Sequence, residues 1–236
     1  MKIVKISIIS IFCLLLILAG GFYVWTQFYY EATEDALAFV NEQEGPYLVF
    51  GDESATTGVV FYQGAKVEAA AYSYLGAELA KEGYFVVIPQ LPLNLAILGF
   101  NEAQSIMEQY DQVENWYLGG HSLGGAMASR FAYLNEQLVE GIIYLASYPA
   151  DDFSQSNIPK LSIYGEVDQI ATLETMETKR ELFSPNTTWS MIEGGNHANF
   201  GMYGPQKGDN EGLMPASEQR DETVATILNW LDQQQN

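Results

Sequence analysis

Ten consecutive residues, Trp116-Tyr117-Leu118-Gly119-Gly120-His121-Ser122-Leu123-Gly124-Gly125, constrain this chain more than any other stretch. They read as a short apolar strand, a Gly-His-Ser-Leu-Gly turn and the start of a helix. Such a turn reverses the chain so sharply at Ser122 that a side chain at Gly120 or Gly124 would collide with neighbouring backbone. The strain exposes the serine hydroxyl at the end of the strand, beside the N-terminus of the next helix. A bare G-x-S-x-G arises often by chance. Its place between a strand and a helix gives it meaning.

The surrounding pattern supplies the rest of such a fold. Compact apolar runs at 47–50, 58–62, 85–89, 116–119, 141–146, 160–164 and 188–192 alternate with helical patterns at 67–82, 101–110, 124–135, 173–182 and 219–232. Strands that are apolar throughout and separated by helices predict a mostly parallel sheet of about seven strands, covered on both faces. A short amphipathic helix is expected at 32–40. In such α/β sheets the site lies beyond the carboxyl ends of the strands.

The first thirty residues are different. Lys2 and Lys5 precede an uncharged stretch from residue 6 to residue 30, and all thirty acidic residues follow it. Residues 6–25 would span roughly 30 Å as a helix, enough to cross a hydrocarbon core. Lysines on the N-terminal flank put that end in the cytoplasm and export the remainder. Two readings stay open. One is a retained single-pass anchor in the cell membrane with the catalytic domain extracellular. The other is a signal peptide cut before Phe22, which would secrete the domain. Cys13 reads as one apolar residue of that helix. Residues 31–236 then form a single α/β catalytic domain.

Composition narrows the chemistry. At 48% hydrophobic and 17% charged, the 236-residue chain can bury a sizeable core. One cysteine excludes an internal disulfide framework, and two histidines leave little room for a histidine-based metal site. A metal site built on cysteine or histidine is therefore not expected. A formal charge of −20 disfavours a polyanion such as nucleic acid as partner.

A serine hydroxyl needs a base. His121, adjacent to Ser122, is expected to project away from it and pack beside the turn. His197, in Gly194-Gly195-Asn196-His197-Ala198 directly after the last strand, can swing over the end of the sheet. A carboxylate must then fix the tautomer of His197. Asp168, just beyond the penultimate strand, is the leading candidate; Asp151 or Asp152 could substitute, and Glu166 is offset in its turn. Two backbone N–H groups should form an oxyanion hole: that of Leu123, and that of Ala65 after the second apolar strand. Gln63 is expected to face solvent. Residues 91–98 either line a pocket or pack the core, and 201–217 form either a rim or a plain surface loop. Too few residues separate 146 from 160 for a helical cap.

Over nearly all of residues 45–236 the chain resembles the α/β-hydrolase superfamily, in particular its small, lidless branch of dienelactone-hydrolase-like bacterial enzymes. Beside the serine turn, the likeness rests on Tyr62-Gln63-Gly64-Ala65-Lys66-Val67, Pro89-Gln90-Leu91-Pro92-Leu93-Asn94-Leu95-Ala96 and Gly194-Gly195-Asn196-His197-Ala198. The order Ser…Asp…His agrees with that superfamily. The resemblance implies a Ser122–Asp168–His197 triad and hydrolysis of a small-molecule ester without a cofactor. Two positions depart from it: Gln63 stands where histidine is frequent, and Ser122 where dienelactone hydrolases use cysteine. Peptidase, thioesterase or acyltransferase chemistry on the same fold, and a non-catalytic cell-surface binding protein, are the alternatives.

Overall fold

The computed structural model describes residues 2–40 and 42–234, with the side chains of residues 2–10, 42 and 44 outside the description. Eight strands form one sheet: β1 (Glu42–Glu44), β2 (Tyr47–Phe50), β3 (Thr57–Tyr62), β4 (Phe85–Pro89), β5 (Asn115–His121), β6 (Gly141–Leu145), β7 (Lys160–Gly165) and β8 (Thr187–Ile192). Their spatial order is β1-β2-β4-β3-β5-β6-β7-β8. β1 and β2 run antiparallel to their neighbours and every other pairing is parallel. β1 is the one strand the sequence did not announce, because Glu-Gln-Glu has no apolar face; a tight turn folds it back onto β2.

The helices are α1 (Lys2–Thr26), α2 (Glu34–Leu37), α3 (Ser73–Lys81), α4 (Glu102–Gln109), α5 (Leu123–Leu134), α6 (Leu173–Lys179) and α7 (Ala216–Gln234). Successive strand residues point to opposite faces, and the chain uses that alternation to build two cores. Val59, Phe61, Val86, Ile88, Ile143 and Leu145 pack on one side with Leu75 and Leu79 of α3 and Ile227 and Trp230 of α7. Val60, Tyr62, Phe85, Val87, Ile142 and Tyr144 pack on the other with Ile106 of α4 and Ala128 and Phe131 of α5.

The connection leaving β3 runs through α3 to one side of the sheet, and the one leaving β5 runs through α5 to the other. β3 and β5 are neighbours, so their carboxyl ends flank the crevice where such sheets place a site. Among the described residues no helix lies between β6 and β7.

The expected helix at 32–40 shrinks to α2, capped by Thr33, whose hydroxyl accepts the Ala36 amide at 3.3 Å. The expected span 6–25 begins in residues whose side chains lie outside the description. From Ile11 to Leu18 the side chains of α1 are exposed, as are Phe22 to Trp25. Among the described residues no helix is long and apolar enough to cross a membrane.

Candidate active site

Ser122 lies between the last residue of β5 and the first of α5, with φ 52° and ψ −122°. That conformation costs a non-glycine residue about 1–3 kcal/mol, so surrounding contacts must hold it. The Ser122 amide donates to the Leu145 carbonyl (2.9 Å), and its own carbonyl accepts the Ser147 hydroxyl (2.6 Å). A Cβ on Gly120 would stand 2.3 Å from the Gly124 carbonyl carbon, and one on Gly124 would stand 2.2 Å from the Tyr62 oxygen. Both glycines are there for the steric reason the sequence suggested.

His197 follows β8, is fully buried, and brings Nδ1 to 2.7 Å from Asp168 Oδ2. The other oxygen, Oδ1, accepts the amides of Ile170 and Ala171, each at 2.7 Å. A carboxylate only accepts, so Nδ1 carries the hydrogen and Nε2 is left as an acceptor. Nε2 has no hydrogen-bond partner among the described residues. His197 and Ser122 together line a pocket of about 340 Å³, with apolar walls from Leu123, Ala126, Ala146, Tyr148, Ile170 and Ala171. No Ser122–His197 hydrogen bond forms among the described residues; the two face one cavity.

The other carboxylates are engaged elsewhere. Asp151 pairs with Arg130, Asp152 accepts the Ser154 amide, and Glu166 accepts the Gly194 amide. His121 does project away from the serine. Its Nδ1 meets the Tyr72 hydroxyl at 2.8 Å, and its ring stacks 4.5 Å from that of His197. Burial, and then the neighbouring His197, hold its pKa well below the usual histidine value. The His121 ring thus favours its neutral form and packs against that of His197.

The Leu123 amide, first in α5, donates to no group among the described residues, and neither does that of Ala65. Leu123 lines the pocket; Ala65 is half-buried on the adjoining loop and is not part of its wall. That loop is shaped by Lys66 at φ 58°, whose amide donates to the Asn94 carbonyl at 2.7 Å. Gln63 corrects the solvent-facing expectation. It is fully buried, and its Nε2 donates to Asn94 Oδ1 at 3.3 Å. Residues 91–98 stay out of the pocket: Leu91, Leu95 and Ala96 are core, while Ile97 and Leu98 are exposed.

Three supporting residues escaped the sequence. Asp209 accepts the Gln169 amide (3.2 Å) with one oxygen and the Ala198 amide (2.9 Å) with the other, joining the two loops that carry Asp168 and His197. Gln219 of α7 brackets Asn196 from both sides, accepting its amide at 3.0 Å and donating to its carbonyl at 2.8 Å. Tyr72 joins Gly64 to His121. Residues 201–217 are also tied to the body, outside the pocket wall: Met202 donates to Ala71, and Leu213 to Gly194.

A family model described as "Alpha/beta hydrolase family" matches residues 58–221. Several solved structures share the fold. An alpha/beta hydrolase enzyme from the metagenome of lagoon sediments at Mar Chica, Morocco, aligns with a TM-score of 0.64 and 19% identity, over 83% of this chain and 99% of that one. A thermophilic esterase from Thermogutta terrifontis gives 0.65 and 13%, over 80% and 93%. The monoacylglycerol lipase of Paleococcus ferrophilus gives 0.63 and 16%, over 81% and 100%. No curated protein sequence matches the chain.

Proposed function

The chain belongs to the alpha/beta hydrolase family, and from that premise we propose that it hydrolyses carboxylic esters with Ser122 as nucleophile, His197 as base and Asp168 as its orienting carboxylate. One observation carries the reading: His197 Nδ1 is fixed on Asp168, its Nε2 has no partner among the described residues, and His197 lines one pocket with Ser122. Nε2 takes the hydroxyl proton as Ser122 Oγ bonds to the ester carbonyl carbon. The resulting oxyanion is met by the amides of Leu123 and Ala65. As the carbonyl re-forms, the C–O bond to the alcohol breaks and Nε2 delivers its proton to that oxygen. Water then attacks the acyl-serine by the same route, releasing the acid and restoring Ser122.

Residues 6–25 act in this reading as a retained anchor, with Lys2 and Lys5 cytoplasmic and the catalytic domain outside. The support is an uncharged stretch of spanning length flanked by lysine on its N-terminal side only.

The test is a fluorophosphonate applied to the full chain in detergent and read by intact mass, beside Ser122→Ala. One adduct on the wild type and none on the variant is expected. No adduct on the folded wild type would sink the hydrolase reading. The same spectrum weighs the N-terminus, and a mass lacking residues 1–21 would replace anchor by signal peptide.

A further inference from the structure

The segment leaving α1 is fastened to one particular end of the sheet. Just past the helix, Tyr30 pairs with Val67 as a parallel bridge: its amide donates to the Lys66 carbonyl (2.7 Å) and its carbonyl accepts the Glu68 amide (2.9 Å). Its hydroxyl accepts the Lys207 amide at 3.0 Å, and its ring lies 5.6 Å from that of Tyr203. The Ala32 amide donates to the Glu68 carboxylate and the Thr33 amide to the Met202 carbonyl, each at 2.9 Å. On the helix itself, Lys66 Nζ stands 4.2 Å from the Trp25 ring, and α1 packs on the turn Pro92–Asn94. Every one of these partners lies in a loop leaving the carboxyl end of β3 or β4, or in the chain following β8. Ser122 and His197 line their pocket at that same end.

The surface there is unusual for so acidic a chain. Phe28, Ile97 and Leu98 are 73%, 55% and 49% exposed, and residues 90–101 include no charge until Glu102 begins α4. At the amino end of the sheet the loops carry Asp52, Glu53, Asp111, Glu114, Glu136 and Glu140. Apolar side chains are thus exposed on the side from which α1 departs, while acids stand at both ends of the sheet, Glu68, Asp151, Asp152, Glu166 and Glu193 on this one.

We propose that the carboxyl end of the sheet rests on the bilayer holding α1, with Phe28, Ile97 and Leu98 in its interface, and that the Ser122 pocket draws long-chain acyl esters dissolved in that bilayer. This rests on the anchored-esterase reading above. Only residues 27–29 separate α1 from the hydrogen-bonded Tyr30 bridge, which limits how far the domain can turn. Hydrocarbon is the occupant whose chemistry suits the patch, since α1, with its exposed apolar side chains, packs on the turn Pro92–Asn94 that leads into it.

The test uses the full chain bearing Cys13→Ser with a single new cysteine, Ile97→Cys or Leu138→Cys, labelled with an environment-sensitive dye. Leu138 is also exposed but precedes β6, at the opposite end of the sheet. In phosphatidylcholine vesicles containing nitroxide-labelled lipid, quenching at position 97 should exceed that at 138 severalfold. Equal quenching, or none at 97, overturns the orientation. Co-flotation with the vesicles is scored in the same sample, and a chain that does not float overturns anchor and orientation together. Fluorophosphonate labelling of Ser122 reports the hydrolase reading independently. In a second arm, Ile97→Asp with Leu98→Asp should slow cleavage of a long-chain monoacylglycerol in those vesicles at least fivefold. Turnover of a short water-soluble ester should be unchanged. Equal effects on both esters would refute delivery from the bilayer.

Discussion

At the scale of single residues, the three groups of the site should fail in different ways. In the proposed mechanism Ser122→Ala removes the attacking oxygen, and kcat for a p-nitrophenyl ester should fall about 10⁴- to 10⁶-fold. Asp168→Asn keeps the shape but reverses a hydrogen bond. Ile170 and Ala171 require an acceptor at Oδ1, so the amide oxygen turns to them and its NH₂ faces His197 Nδ1. Nδ1 must then accept, Nε2 holds the hydrogen, and kcat should fall by roughly 10⁴ with little change in KM. His121 gives a stability signature instead. Its folded pKa is depressed, so below about pH 6.5 the unfolded chain takes up a proton that the folded ring refuses. Acid therefore favours unfolding, by about 1.4 kcal/mol per pH unit until the ring is forced to protonate. Urea titrations should show a steeper acid limb for the wild type than for His121→Leu. Ser122, Asp168 and His197 were legible because each follows an apolar strand with a local signature. Gln63, Asp209 and Gln219 were not, because their partners lie in distant loops and a glutamine or aspartate in isolation looks like surface.

At the scale of elements, the parallel strands β3, β4 and β6 were legible because both faces of each are buried, which leaves apolar runs. The misread elements are those where tertiary contacts overrode local preference. The helix expected from residue 67 begins instead with a 3-10 turn, Ala69–Tyr72, because the Tyr30–Val67 bridge keeps Val67 extended. The helix expected at 32–40 stops at Leu37, and Phe39 lies edge-on to Tyr74 at 5.2 Å. A third departure is chemical. Lys160 opens β7 with its side chain fully buried, Nζ donating to the Ile158 carbonyl (2.6 Å) and the Ser184 hydroxyl (2.9 Å). Burial lowers its pKa from 10.5 to about 8. Between those two values the unfolded chain holds a proton that the folded chain has released, so raising the pH favours the folded state. The wild type should therefore gain stability relative to Lys160→Met from about pH 8 to pH 10.5, by at most about 3 kcal/mol. Urea unfolding at both pH values tests this, and parallel curves would mean that the ammonium is not desolvated.

At the scale of the whole molecule, the domain is acidic at both ends of the sheet while one stretch of its surface carries no charge. Beyond residue 30 the chain carries eight basic residues against thirty acidic ones, yet residues 90–101 beside the site carry none of either. The acids repel one another across a compact body, and salt screens that repulsion over a Debye length of about 10 Å at 0.1 M. Thermal unfolding should thus shift upward by several degrees between about 10 mM and 300 mM sodium chloride. The same field acts on substrates from a distance, drawing cations toward the domain and turning anions away. At about 10 mM salt a cationic ester should therefore show a higher kcat/KM than its anionic isostere, by up to roughly tenfold. The difference should enter through KM and through encounter, since the pocket walls themselves are apolar. At about 300 mM the ratio should approach one. A preference that survived high salt would place a charged group inside the pocket, where Leu123, Ala126, Tyr148 and Ile170 provide none.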